Sequence, residues 1–149
     1  MYSKDQILEI FKEKDVLLSG HFRLTSGRHA AYYMQCARLL QYPDVAGPLC
    51  EQLASNFANQ GITVVVGPAI GAIPLSYEVA RVLGVKSIFA ERENGEMTLR
   101  RGFEVSPQDK VLVVEDVITT GGSVKEVISL MQAKGAEVVG VGVLVDRSN

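Results

Sequence analysis

The chain has little that would tie it to a membrane, a nucleic acid or a metal. No apolar run reaches the length of a membrane span, and the N-terminus, MYSKDQILEI, has no basic segment followed by a hydrophobic one. The formal net charge of −2 gives no whole-chain attraction to nucleic acid, and no cluster interleaves basic with aromatic residues. The two cysteines, Cys36 and Cys50, are too few for a disulfide framework and have no His or Cys partner at metal-ligand spacing. Repeats, low-complexity stretches and linkers are also missing. The expectation is a soluble, cytoplasmic protein with neither a membrane nor a nucleic acid as partner. Its 149 residues, 47% hydrophobic, suffice for one domain with its own core spanning 1–149.

What is present is concentrated in residues 111–123, VLVVEDVITTGGS. An apolar run meets two adjacent carboxylates, Glu115 and Asp116. A loop of hydroxyls and glycines follows, Thr119-Thr120-Gly121-Gly122-Ser123, and then a helical pattern begins. A strand–loop–helix of this kind gathers free N–H groups and the positive end of a helix dipole around one small volume, which suits a phosphate. Gly121 and Gly122 permit positive φ and close backbone approach, and the hydroxyls add donors. Carboxylates repel phosphate, so the acid pair calls for a neutral polyol beside it, and a ribose with vicinal hydroxyls fits. Rival motifs fail on spacing: there is no Gly-Lys pair for a triphosphate loop and no G-x-G-x-x-G after the strand. Ordinary helix capping would explain Thr or Ser here, but not two acids at the end of a buried strand.

Along the rest of the chain, Ser3 and Gln6 form a capping box ahead of a helix over about Lys4–Lys14. Residues 21–24 and 29–36 read as a hairpin around Thr25–Arg28. A second helix begins near Pro43-Asp44, carries Val45, Leu49, Leu53 and Phe57 on one face, and ends at Gly61. Ile62–Val66 is an all-apolar strand of the type buried on both faces of a parallel sheet. The loop Gly67–Ala72 opens a third helix ending at Gly84, and Lys86–Ala90 is again a strand. Asn94-Gly95 marks a two-residue hairpin turn. Val124, Val127, Ile128 and Met131 mark a helix stopped by Gly135, and Val138–Val145 returns to the sheet. This alternation predicts a doubly wound, mostly parallel α/β sheet. Ligands sit at the carboxyl ends of such strands, so the loops at 67–72, 91–103 and 116–123 should line one site. Val138–Val145 looks like a central strand, which rarely closes a domain, so a longer parent protein is expected.

The 111–123 stretch resembles the phosphoribosyl-pyrophosphate motif of type I phosphoribosyltransferases: apolar strand, acidic pair, then TTGGS. Leu24-Thr25-Ser26-Gly27-Arg28 followed by Tyr32-Tyr33 is similar to the LKSGR…YF segment of orotate phosphoribosyltransferases, and Asp146-Arg147 resembles their DR pair. The resemblance covers nearly the whole chain. It implies the type I fold with a small N-terminal hood, and transfer of phosphoribose from phosphoribosyl pyrophosphate to orotate, a step of pyrimidine synthesis. It also implies Mg²⁺ and a homodimer. Glu115 and Asp116 are the implied catalytic residues. Together with Val117, Ile118, Thr119, Thr120, Gly121, Gly122 and Ser123, and with Ala69, Ile70, Gly71 and Arg92, they bind phosphoribosyl pyrophosphate; Thr119 and Arg147 contact orotate. No residue is assigned as a metal ligand, since Mg²⁺ keeps several waters and can ride on the pyrophosphate.

The chain departs from the pattern in two places. Thr25 stands where the commoner orotate enzymes have Lys. Their mobile loop reads RKE…K-x-H-G, whereas no Lys or His lies between Glu91 and Phe103 here. The loop Lys has no counterpart; Arg92, Arg100 and Arg101 are the available cations, which describes a shortened-loop branch. Two alternatives remain at this stage: a purine phosphoribosyltransferase acting on xanthine or adenine, and a non-catalytic regulator that senses phosphoribosyl pyrophosphate.

Overall fold

The structure, a computed structural model, describes residues 1–23 and 29–148. The chain divides into two compact units, Met1–Leu49 and Cys50–Asn149. In the first, helix α1 (Lys4–Glu13) starts with the capping box: Ser3 Oγ accepts the Gln6 N–H and Gln6 Oε1 accepts the Ser3 N–H. The chain turns through Asp15, at φ +54°, into antiparallel strands β1 (Leu17–Arg23) and β2 (His29–Met34). The turn segment Leu24–Arg28, which carries the LTSGR resemblance, lies outside the described residues.

Several boundaries differ from the sequence reading. Strand β1 begins at Leu17 instead of residue 21, and β2 ends at Met34 because the Gln35 N–H donates to Val16 O and closes the hairpin base. Cys36–Leu40, expected partly as strand, forms a short helix α2 that buries Cys36 and Leu39 at helical spacing. Helix α3 (Pro43–Ser55) starts at its proline as expected but ends six residues before Gly61. There the bonds tighten to the i−3 carbonyl, at Asn56, Phe57 and Ala58, and Asn59 turns left-handed at φ +64°.

The second unit holds a five-stranded sheet in the order β5-β4-β3-β6-β7. Its strands are β3 (Val64–Pro68), β4 (Lys86–Glu93), β5 (Glu96–Thr98), β6 (Lys110–Ile118) and β7 (Glu137–Asp146). All pairings are parallel except β4 with β5, which close through Asn94 and Gly95 at φ +52° and +81°. Strand β3 runs two residues later than expected because Pro68 still pairs with Ala90 and the Ala69 N–H reaches Ala90 O at 2.7 Å.

Helix α5 (Gly122–Ala133) places Val124, Val127 and Met131 on a core face with Val64, Val66, Val111 and Val113. On the alternate residues of β3 and β6, Val65, Leu112 and Val114 are equally buried. Helix α4 (Ile73–Leu83) is tied to β3 and β4 through Ser76, whose Oγ lies 3.3 Å from both Val65 O and Ile88 O. Gly140 and Gly142 of β7 leave room for the Phe57 ring, which a Cβ at Gly140 would meet at 2.8 Å. From β3 the chain goes one way to β4 and then crosses to β6 on the other side. The carboxyl ends of β3 and β6 therefore flank the point where strand order reverses, the usual place for a ligand in such sheets.

Candidate functional site

Strand β6 carries its buried run Val111–Val114 directly into Glu115 and Asp116. The strand does not stop at the acids, as a loop over 116–123 would require. Glu115 pairs with Val143, Val117 with Val145 and Ile118 with Asp146, so the true loop is only Thr119–Gly121. The long apolar β7 offers ladder partners as far as Asp146, and the backbone takes them.

Successive strand side chains alternate, and the two acids meet different neighbours. Glu115 lines a hollow of about 90 Å³ together with Val117, Ile118, Thr119, Thr120, Gly121, Gly122, Ser123 and Val124. Asp116 lies against Gly71 of the β3–α4 loop, its Oδ2 only 2.9 Å from the point a Gly71 Cβ would occupy. The Asp116 N–H donates to Glu115 Oε1 at 3.0 Å, and the Val117 N–H to Asp116 Oδ1 at 2.8 Å. Burial first, then the adjacent Asp116 carboxyl, push Glu115 up to about 8, against the opposing pull of the Asp116 N–H. Near neutrality this favours the protonated form of Glu115.

The hollow's far wall is the start of α5. Its N-cap Gly121 is left-handed at φ +78°, with no side-chain cap and no acid in the first turn. Thr120 Oγ1 lies 3.4 Å from the Gly122 N–H. A helix start left open in this way, rimmed by hydroxyls, suits a dianion.

On the other side of the reversal point, Ala69-Ile70-Gly71 form the apex of the loop after β3. The Ala69–Ile70 peptide is cis, and Ile70 is exposed. Gly67 cannot carry a side chain, since a Cβ would stand 2.8 Å from Ala72 Cβ and 3.1 Å from Val114 O. The sequence reading placed Gly67 only in a loop expected to line the site; its steric role has no signal in a single sequence.

Arg147 is brought to Thr119 by the backbone: the Arg147 N–H donates to Ile118 O at 2.8 Å. The two residues expected to share one substrate are thus adjacent, although Thr119 follows β6 and Arg147 follows β7. The hairpin cations are placed differently. Arg101 grips Glu91 with Nε–Oε2 at 2.7 Å and Nη2–Oε1 at 3.2 Å, and lies over the Phe89 ring at 5.5 Å. Arg100 reaches Glu91 and Glu93. Arg92 pairs with Glu126 of α5 and with Gly95 O, outside the residues that line the hollow. Glu126 was not singled out from sequence, because an exposed acid on a helix carries no local mark of its partner.

The chain is similar to known proteins over nearly its whole length. Residues 38–149 match the family model described as phosphoribosyl transferase domain. The orotate phosphoribosyltransferase of Desulforamulus reducens is 60% identical over 147 residues, 99% of this chain and 77% of that protein. The one from Pelotomaculum thermopropionicum is 61% identical over 147 residues, with the same coverage of 99% and 77%. Among solved structures, the crystal structure of orotate phosphoribosyltransferase from Aeropyrum pernix matches with a TM-score of 0.82 at 26% identity, covering 95% of this chain and 81% of that one.

Proposed function

We propose that this chain, which belongs to the phosphoribosyltransferase family and within it to the orotate phosphoribosyltransferases, transfers phosphoribose from phosphoribosyl pyrophosphate to orotate. The products are orotidine 5′-monophosphate and pyrophosphate, in pyrimidine synthesis. The observation that carries this reading is the hollow itself, where an acid-bearing strand end opens onto an uncapped helix start.

In this assignment the N–H groups of Thr119–Ser123 hold the 5′-phosphate, with the hydroxyls as further donors. Glu115 and Asp116 accept from the ribose hydroxyls and stabilise the positive charge that grows on the sugar as the bond to pyrophosphate breaks. The Ala69-Ile70-Gly71 apex and Arg92 face the pyrophosphate. For Arg92 this means exchanging Glu126 for substrate. The orotate carboxylate is met by Arg147, whose planar fork suits bidentate recognition, with Thr119 beside it. Mg²⁺ fits this donor set: the carboxyl groups of Glu115 and Asp116 can face its water shell, and when bound it would neutralise charge on the leaving pyrophosphate. No helix among the described residues is long and apolar enough to cross a membrane, and the protein is assigned to the cytoplasm as a homodimer.

Turnover with a panel of bases tests the reading. Orotate should be consumed in the presence of phosphoribosyl pyrophosphate and Mg²⁺, with hypoxanthine, xanthine and adenine inert. Activity on a purine and none on orotate would replace the base assignment. Tight binding of phosphoribosyl pyrophosphate with no turnover on any base would make the protein a sensor.

A further inference from the structure

The loop after β3 and the acid of β6 touch at one point. A Cβ built on Gly71 would lie 2.9 Å from Asp116 Oδ2, 3.5 Å from Cγ and 3.6 Å from Oδ1, so the whole carboxyl group rests against the glycine. On its other side the carboxyl is held by the Val117 N–H, 2.8 Å from Oδ1. The group is clamped between its own backbone and a neighbouring loop, with no slack toward Gly71. Gly71 does not need its missing side chain for backbone reasons, because it is absent from the glycines at positive φ. The space, and not the torsion, is what the glycine supplies here.

We propose that Gly71 is a positioning residue: its bare α-carbon sets the orientation of the Asp116 carboxylate and ties it to the conformation of the Ala69-Ile70-Gly71 loop. The inference rests on the proposed reading of the site, in which that loop faces pyrophosphate and Asp116 faces ribose. The same contact then passes the state of the leaving-group loop to the acid that steadies the sugar. A methyl group at position 71 must displace Oδ2 by rotating the carboxyl, and that rotation pulls Oδ1 off the Val117 N–H.

A double-mutant cycle tests this on the full chain. Gly71→Ala should lower kcat by about ten- to a hundredfold, the scale set by misplacing a reacting group by about 1 Å. The KM for orotate should stay within about twofold, since the base wall is not touched. In an Asp116→Asn background, which removes the charge whose placement matters, the same substitution should cost less than about threefold. Losses that simply multiply, or full kcat in Gly71→Ala, would overturn the proposal. If Gly71→Ala melts too low to assay, the cycle is run on melting temperature with Asp116→Ala. The drop caused by Gly71→Ala should shrink once the atoms that the methyl meets are gone, and an undiminished drop overturns the proposal. The Asp116→Asn variant by itself separates this from failure of the functional reading: near-normal turnover there removes Asp116 from the chemistry altogether, whatever Gly71 does.

Discussion

Two polar regions border the carboxyl ends of the strands, and they are built on opposite plans. In the hairpin of β4 and β5 the cations are matched to acids within the protein: Arg101 and Arg100 to Glu91, Arg92 to Glu126. At the end of β6 the acids sit beside each other and the helix start is uncapped. The first region is finished without a ligand. The second is left incomplete, with a carboxyl raised to about 8 and donors around an empty volume. Electrostatic complementarity that a protein does not satisfy internally is the physical mark of a binding site.

The comparison breaks most directly at Gly121. Its φ of +78° is the conformation that β-branched residues resist, while open space surrounds its α-carbon, with only Lys125 Cε at 4.0 Å. Gly121→Val should therefore leave the core intact and abolish binding of phosphoribosyl pyrophosphate by calorimetry. Unchanged affinity would mean that the helix start is not the phosphate site.

Next in size is Asp116→Asn, which keeps the shape and removes the charge. A loss in kcat of roughly a hundredfold or more is expected, in line with loss of a preorganised electrostatic group. The fold should survive, with the amide still accepting from the Val117 N–H. Turnover near normal in a folded variant would move the incomplete region's function away from the ribose.

Arg147 sharpens the comparison, because it is a cation on the incomplete side. Arg147→Ala should raise the KM for orotate by an amount equal to about 1.5–3 kcal/mol, with far less effect on phosphoribosyl pyrophosphate. Equal effects on both substrates would point to a structural role for the Arg147 side chain.

How much of this could be read beforehand follows from what each feature depends on. Helix starts were legible where the signal is local, as at Ser3 and Pro43, and the Asn94-Gly95 turn and the Gly84 stop depend on single residues whose φ is positive. The acid pair and the glycine loop could be picked out as a candidate site because their chemistry is written in consecutive residues. Boundaries set by partners were not legible. Strand β6 runs through the acids because β7 is long, and α2 replaces the end of a strand because Gln35 closes on Val16. The pairing of Arg92 with Glu126, 34 residues apart by number, and the contact of Gly71 with Asp116 belong to the tertiary fold alone.

The raised carboxyl gives a measurable effect of intermediate size. Burial and the adjacent Asp116 carboxyl push Glu115 up to about 8 in the folded protein, from an ordinary value of 4.5. Between these values the folded protein holds a proton that the unfolded chain has released, so the free protein loses stability as pH rises through that window. A fall of about 2 kcal/mol or more from pH 5 to pH 8 is expected from denaturant midpoints. In Glu115→Gln that contribution should flatten, and the variant should exceed the wild type in stability at pH 8. An unchanged pH dependence would show that the pair ionises independently and that the site is less strained than its hydrogen bonds imply.

The smallest effect is expected on the finished side, where the two plans can be told apart within one hairpin. Arg101 is held by a bidentate pair, a ring contact with Phe89 and an acid whose pKa it lowers, while Arg92 has an exposed partner on another element. Leaving Glu91 to meet pyrophosphate would cost Arg101 both hydrogen bonds and the ring, whereas Arg92 can trade one exposed carboxylate for a more highly charged anion. Arg101→Ala should thus change kcat/KM for phosphoribosyl pyrophosphate by less than about twofold, as for surface ion pairs in general. Arg92→Ala should raise the KM for phosphoribosyl pyrophosphate by about tenfold, the cost of a lost charged hydrogen bond. Reversal of the two, with Arg101 the more damaging loss at unchanged melting temperature, would show that the hairpin rearranges on binding and that its internal pairing is only the resting arrangement.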